Sequence, residues 1–178
     1  MFKQLQRLLR HGWLDASDAH RAVPPELLAR LTGQVAASER RHGGQIRICV
    51  EAGLPMSYLW RHLRQRVPMP QIVRERALMM FSKLRVWDTE RNNGVLIYLL
   101  LAEHAIEIVA DRGLNRHVSP AEWQAMARAM GAAFRAGHFE EGLSQTLEQV
   151  STLLVAHFPA DAAAVPGGNE LPDQPVLG

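Results

Sequence analysis

Two short polar stretches hold the residues best suited to chemistry. The first is Trp87-Asp88-Thr89-Glu90-Arg91-Asn92-Asn93-Gly94, and the second is Asp111-Arg112-Gly113. Between them run the apolar residues 95–102, a break at Glu103-His104 and the half-apolar stretch 105–110. Folding this segment back on itself as an antiparallel hairpin brings Asn93 opposite residues 111–113. One end of the hairpin then gathers the carboxylates of Asp88 and Asp111, with Glu90 beside them. It also gathers the amides of Asn92, Asn93 and Asn115 and the Thr89 hydroxyl. Oxygen donors of this kind suit a hard cation such as Ca²⁺ or Mg²⁺. A cation held there can activate a phosphate ester, with Arg91 or Arg112 steadying the phosphate. The same residue types also build ordinary turns and Asx caps. The spacing alone leaves three readings: the meeting point holds an ion, turns over a substrate, or only ties the ends of the hairpin.

Other chemistries find little support. The eight histidines are scattered and lack the spacing of a zinc site. The single cysteine, Cys49, lies in an apolar strand pattern and reads as an inert core thiol. There is no phosphate-binding Gly-Lys-Ser/Thr loop, and no serine or threonine sits in a nucleophile elbow. No catalytic residue is therefore assigned.

The elements that must position these loops follow from periodicity. Residues 2–13 place Phe2, Leu5, Leu8, Leu9 and Trp13 at helical spacing with basic residues between them. Pro24-Pro25 opens a helix that Gly43-Gly44 stops. Residues 45–51 are β-branched and partly alternating, a strand. Two helices follow, one starting at Leu54-Pro55 and the other spanning about 71–84 and setting Arg74, Glu75, Arg76 and Lys83 outside. After the hairpin, Ser119-Pro120-Ala121-Glu122 spells a capped helix start, and residues 139–157 form the last helix. The first strand and the apolar strand are separated by a helical crossover and are expected to be parallel. The economical fold is a three-layer α/β/α sandwich with a small mixed β-sheet. The expected organisation is a basic N-terminal helix over 1–19, the α/β/α domain over 20–158 and a loosely ordered tail over 159–178.

Formal net charge is +2, but it is unevenly placed. Residues 1–85 carry 15 Lys/Arg against 6 Asp/Glu, and residues 86–178 carry 5 against 12. The basic half suits pairing with the acidic half. It also suits an anionic partner: a membrane surface met by the basic helix of residues 2–13, or nucleic acid contacted through Tyr58, Trp60, Arg61, Arg64 and Arg66. No recognisable nucleic-acid module accompanies those arginines. No segment reaches the roughly 18 apolar residues of a spanning helix, and the N-terminus lacks a leader pattern. A cytoplasmic location is the expectation.

Several of these motifs resemble the TPM domain family. The likeness runs through Arg76-Ala77, Trp87-Asp88-Thr89, Asn92-Asn93-Gly94-Val95-Leu96-Ile97 and Ile106 to Gly113. It continues through Trp123, Phe134-Arg135-Ala136-Gly137 and Phe139-Glu140-Glu141-Gly142, and covers roughly residues 20–158. The resemblance implies the same α/β/α sandwich. It implies divalent-ion binding, notably of calcium, and an acid phosphatase activity attributed to some members. It also implies work beside membrane proteins, such as photosystem II repair in the thylakoid lumen or modulation of receptor channels. Many members carry a leader and a transmembrane tail. This chain shows neither pattern and resembles the soluble bacterial subgroup that accompanies a membrane-anchored TPM protein. The positions carried over are Asp111 first, then Asp88, Asn92 and Asn93. The expectation is an accessory or binding domain that takes Ca²⁺ or Mg²⁺. The alternatives are a metal-assisted phosphatase, and binding of an anionic surface through the arginine-rich half.

Overall fold

The computed structural model describes residues 11, 13–14, 16–160 and 170–178. The expected helix over residues 2–13 falls mostly outside the described residues. The elements run α1 (Ala16–Ala22), α2 (Pro25–Glu39), β1 (Gln45–Glu51), α3 (Met56–Arg64), α4 (Met69–Lys83) and β2 (Gly94–Leu100). A single 3₁₀ turn, Leu101–Glu103, leads into β3 (Ala105–Ala110). The chain closes with α5 (Arg112–Asn115), α6 (Pro120–Arg135), α7 (Phe139–His157) and β4 (Val176–Leu177).

The four strands form one mixed sheet in the order β3-β2-β1-β4. β1 pairs parallel with β2, so the helical crossover works as the sequence requires. β2 and β3 pair antiparallel, with Val95 opposite Ala110 and Leu100 opposite Ala105. The reversal is tight because His104 takes a left-handed conformation, φ 47°.

Every residue of β1 and β2 is buried, as central strands covered on both faces must be. Ile46, Ile48, Val95, Ile97, Ile106 and Ile108 face one layer, built by α1, α2, α6 and α7. Cys49, Leu96, Tyr98, Leu100 and Val109 face the other, built by α3 and α4. This is the α/β/α sandwich that the pattern of elements demands. α6 starts as its sequence dictates: Ser119 Oγ accepts from Glu122 N–H and Glu122 Oε2 accepts from Ser119 N–H, a complete capping box. Cys49 is buried, and burial pushes its thiol up to about 12, so it is unreactive at neutral pH.

Two expectations change. The tail read as loosely ordered over 159–178 contains an ordered strap at 170–178. Its strand β4 pairs parallel with β1, Cys49 opposite Val176. Two buried side chains of β1 seize it: Gln45 Oε1 accepts from the N–H groups of Glu170 and Leu171, and Arg47 donates to the carbonyls of Pro172 and Gln174. Gly178 closes the ladder, donating to Val50 O and accepting from Ala52 N–H.

The second correction concerns Arg76, which turns inward. Its guanidinium forms a two-pronged pair with buried Glu51, and the Tyr98 hydroxyl donates to the same carboxylate at 2.7 Å. Arg76 lies four residues from both Ile72 and Met80, on the buried face of α4.

Candidate functional site

The hairpin brings its two polar loops together at one sheet end. Asp111 N–H donates to Gly94 O at 2.9 Å, one step beyond the Val95–Ala110 pair. Gly113 N–H donates to Asn92 O, also at 2.9 Å. The contact needs glycine on both sides, at the start of β2 and in α5. A Cβ at Gly94 would stand 2.0 Å from the Val86 carbonyl oxygen, and one at Gly113 would stand 2.4 Å from the Asn92 carbonyl oxygen.

Asp111 is 8% exposed and begins α5. Its Oδ1 accepts from Arg112 N–H at 2.6 Å. Its Oδ2 is fully buried and has no hydrogen-bond partner. Asn93 is wholly buried. Its backbone N–H donates to Thr89 Oγ1 at 3.0 Å, and its Nδ2 donates to the Gly43 carbonyl at 2.8 Å. Its Oδ1, like Asp111 Oδ2, has no partner. These are the two orphaned side-chain oxygens among the described residues. Buried polar atoms without a partner are uncommon, and each calls for a donor, a water or a cation.

The pleat separates the two oxygens. Because Asp111 stands opposite Gly94, its side chain leaves from the face where Gly94 lacks one and where the Val86 carbonyl approaches. Asn93 is one step along and leaves from the other face, toward Gly43.

The remaining sequence candidates sort clearly. Asn92 has φ 53°, and its Oδ1 accepts from Arg112 Nε at 2.8 Å. Asn92 and Arg112 therefore join Asp111 and Asn93 at the junction. Asp88 lies exposed in the loop and pairs with Arg85. Arg91 lies exposed beside Gly43, where an added Cβ would meet its Nη1 at 3.3 Å. Asn115 is consumed structurally, its Nδ2 donating to Ala110 O and its Oδ1 accepting from Trp123 Nε1.

Two participants escaped the sequence reading. Glu170, from the strap, accepts from Glu90 N–H through Oε2 at 2.9 Å, which brings another carboxylate to the loop. The Val86 carbonyl is the other, and the bare Gly94 was the one signal for it.

No group of three or more His, Cys, Asp or Glu side chains is clustered as a metal site among the described residues. A cation at this junction must therefore draw most of its ligands from amide and backbone oxygens. That donor chemistry fits Ca²⁺ or Mg²⁺ and does not fit a softer metal. A groove of about 910 Å³ nearby is lined by Ala110 and Asn115 but by neither Asp111 nor Asn93.

The arginines of the first half largely face carboxylates. Arg30 pairs with Glu140, Arg41 with Glu148, Arg74 with Glu107 and Arg61 with Glu75. Arg64 lies over the Trp60 ring, 5.8 Å from its centroid. No helix of the described residues is long and apolar enough to cross a membrane.

The fold and this junction define a class: an α/β/α domain whose two polar loops meet where an antiparallel hairpin opens. The model of the TPM domain matches residues 17–153, so the chain belongs to the TPM domain family. Solved structures agree. BA42 from the psychrophilic bacterium Bizionia argentinensis superposes with a TM-score of 0.67 at 25% identity, covering 84% of this chain and 91% of that one. The N-terminal domain of a protein from P. gingivalis superposes with a TM-score of 0.54 at 18% identity, over 72% of this chain and 76% of that one, a likeness of fold alone. No curated protein matches the sequence.

Proposed function

We propose that the chain is an accessory domain that binds a divalent cation, with Asp111 as the charged ligand, and acts with a membrane-associated partner. One atom carries the reading. Asp111 Oδ2 is a carboxylate oxygen withdrawn from water with nothing to meet it. Leaving such an oxygen unsatisfied costs about 1–3 kcal/mol or more, and a hard cation offsets that cost. Asn93 Oδ1, the second unspent oxygen of this sheet end, leaves from the opposite face and takes no part in that site. The partner is the part carried over from the family resemblance: a membrane-anchored TPM protein.

Thermal unfolding during titration with CaCl₂ and with MgCl₂ tests the cation, because a ligand that prefers the folded state raises the midpoint. Asp111→Asn keeps an oxygen for the Arg112 N–H and removes the charge. The wild-type midpoint should rise with millimolar cation and that of Asp111→Asn should not. A wild-type midpoint unmoved by either ion refutes the proposal.

A metal-assisted phosphatase is the second reading, favoured by one observation. Asn92 holds Arg112 through its Nε, which leaves the other guanidinium donors at the junction to meet a phosphate. Metal-dependent turnover of a phosphomonoester, lost in Asp111→Asn, supports it. No turnover in the wild type with either cation excludes it.

A further inference from the structure

β3 is the outer strand of the sheet, and its free edge forms the floor of a groove of about 910 Å³. Met69 and Val73 of α4 line one wall, and Trp123, Ala127 and Gly131 of α6 line the other. We propose that this groove binds an acidic peptide in extended conformation, added as a fifth strand beside β3. The proposal is independent of the cation reading.

The first argument is the edge itself. In an antiparallel ladder, successive residues turn their backbone groups alternately toward and away from the neighbour. Asp111 N–H points inward to Gly94 O, so Ala110, Ile108 and Ile106 must point outward. The side-chain bonds agree. Asn115 Nδ2 meets the Ala110 carbonyl at 2.7 Å, and Arg74 Nη1 meets the Ile108 carbonyl at 2.9 Å. For the outward N–H groups of Ile106, Ile108 and Ala110 no partner is found among the described residues. The three residues are themselves buried along the groove floor, but their donors are unspent, and an edge with unspent donors is a template for another strand. The sheet already accepts one: its opposite edge carries β4, two residues added from the end of the chain.

The second argument is charge. Glu107 is paired with Arg74, and Glu103 with His11. Arg128 and Arg135 stand seven residues apart on α6, both exposed on the groove rim. Among the described residues neither has an acidic partner. Between them Gly131 keeps the wall low: a Cβ there would lie 3.4 Å from Arg135 Nη1 and 4.0 Å from Ile106 Cδ1. The rim therefore complements carboxylates, while the apolar walls and the donor row complement an extended backbone. A second copy of this chain fits poorly, because its own β3 is recessed between α4 and α6 and those helices meet first.

The test uses a short fluorescent peptide of alternating glutamate and valine with the full chain. Its controls are the lysine–valine counterpart and a version N-methylated at alternate residues. Anisotropy measures affinity, and amide chemical shifts locate the contact. The glutamate peptide should bind and perturb Ile106, Ile108 and Ala110. Arg128→Ala/Arg135→Ala should weaken binding about tenfold while leaving the thermal midpoint unchanged. N-methylation should weaken it as much or more, because it keeps the charge and blocks the ladder. Equal binding of the N-methylated or lysine peptide overturns the proposal. Shifts away from β3 overturn it as well. Perturbation of β3 by protein concentration alone assigns the edge to a second copy and also overturns it.

Discussion

Replacing Glu39 by glutamine should make the grip on the C-terminal strap indifferent to pH. Glu39 is the last residue of α2, and its Oε1 accepts from Ile46 N–H at 2.7 Å as β1 begins. Burial pushes its carboxyl up to about 8, and hydrogen-bonded Asp173 of the strap adds to the rise, while the Ile46 N–H and Arg47 oppose it. At neutral pH the folded chain therefore holds a proton here that the unfolded chain has released. The native state binds more protons than the unfolded state between about 4.5 and about 8, so stability falls as pH rises through that window. The full displacement corresponds to about 5 kcal/mol. The side chain is only partly buried, water screens part of the effect, and a loss of about 2 kcal/mol is the expectation. Glutamine keeps an oxygen for Ile46 N–H and a donor for Asp173, and it never ionises. Thermal unfolding of both proteins across this range reads the difference. The midpoints should coincide near the acid end, and the variant should exceed wild type by roughly 4–8 °C above the upper limit. A difference that stays constant with pH, or a variant that loses ground in alkali, would refute the reasoning.

Two glycines should respond in opposite directions. Gly94→Ala drives a methyl to 2.0 Å from the Val86 carbonyl and must displace backbone, so it should cost about 2 kcal/mol or more in urea unfolding. Gly33 lies exposed inside α2 with nothing within 4 Å of an added Cβ, so Gly33→Ala should raise stability by about 0.5–1 kcal/mol in the same assay.

The centre of the fold was legible because its signals are local. Residues 45–51 alternate and are β-branched, and they form β1 at those bounds. An uninterrupted apolar run marked β2 as a strand covered on both faces. Ser119 and Glu122 announced the start of α6. The equal distances from the break at residues 103–104 brought the Asn93 and Asp111 loops together. The strap was not legible, because β4 is two residues long and is held by side chains of Gln45 and Arg47 more than a hundred positions away. Arg76 carried a signal that its charge concealed, since helical spacing set it among Ile72, Val73 and Met80. Within the junction, spacing could bring Asp88 and Asp111 to one end. It could not foresee that Arg85, three residues before Asp88, would draw that carboxylate outward. Nor did it foresee that the pleat would send Asn93 and Asp111 to different faces.

Calorimetric titration of Ca²⁺ into the wild type and into Asp111→Asn tests the central claim most directly. The account predicts saturable heat for the wild type and none for the variant, with both proteins folded. A silent wild type at millimolar Ca²⁺, or equal heat from the variant, contradicts it.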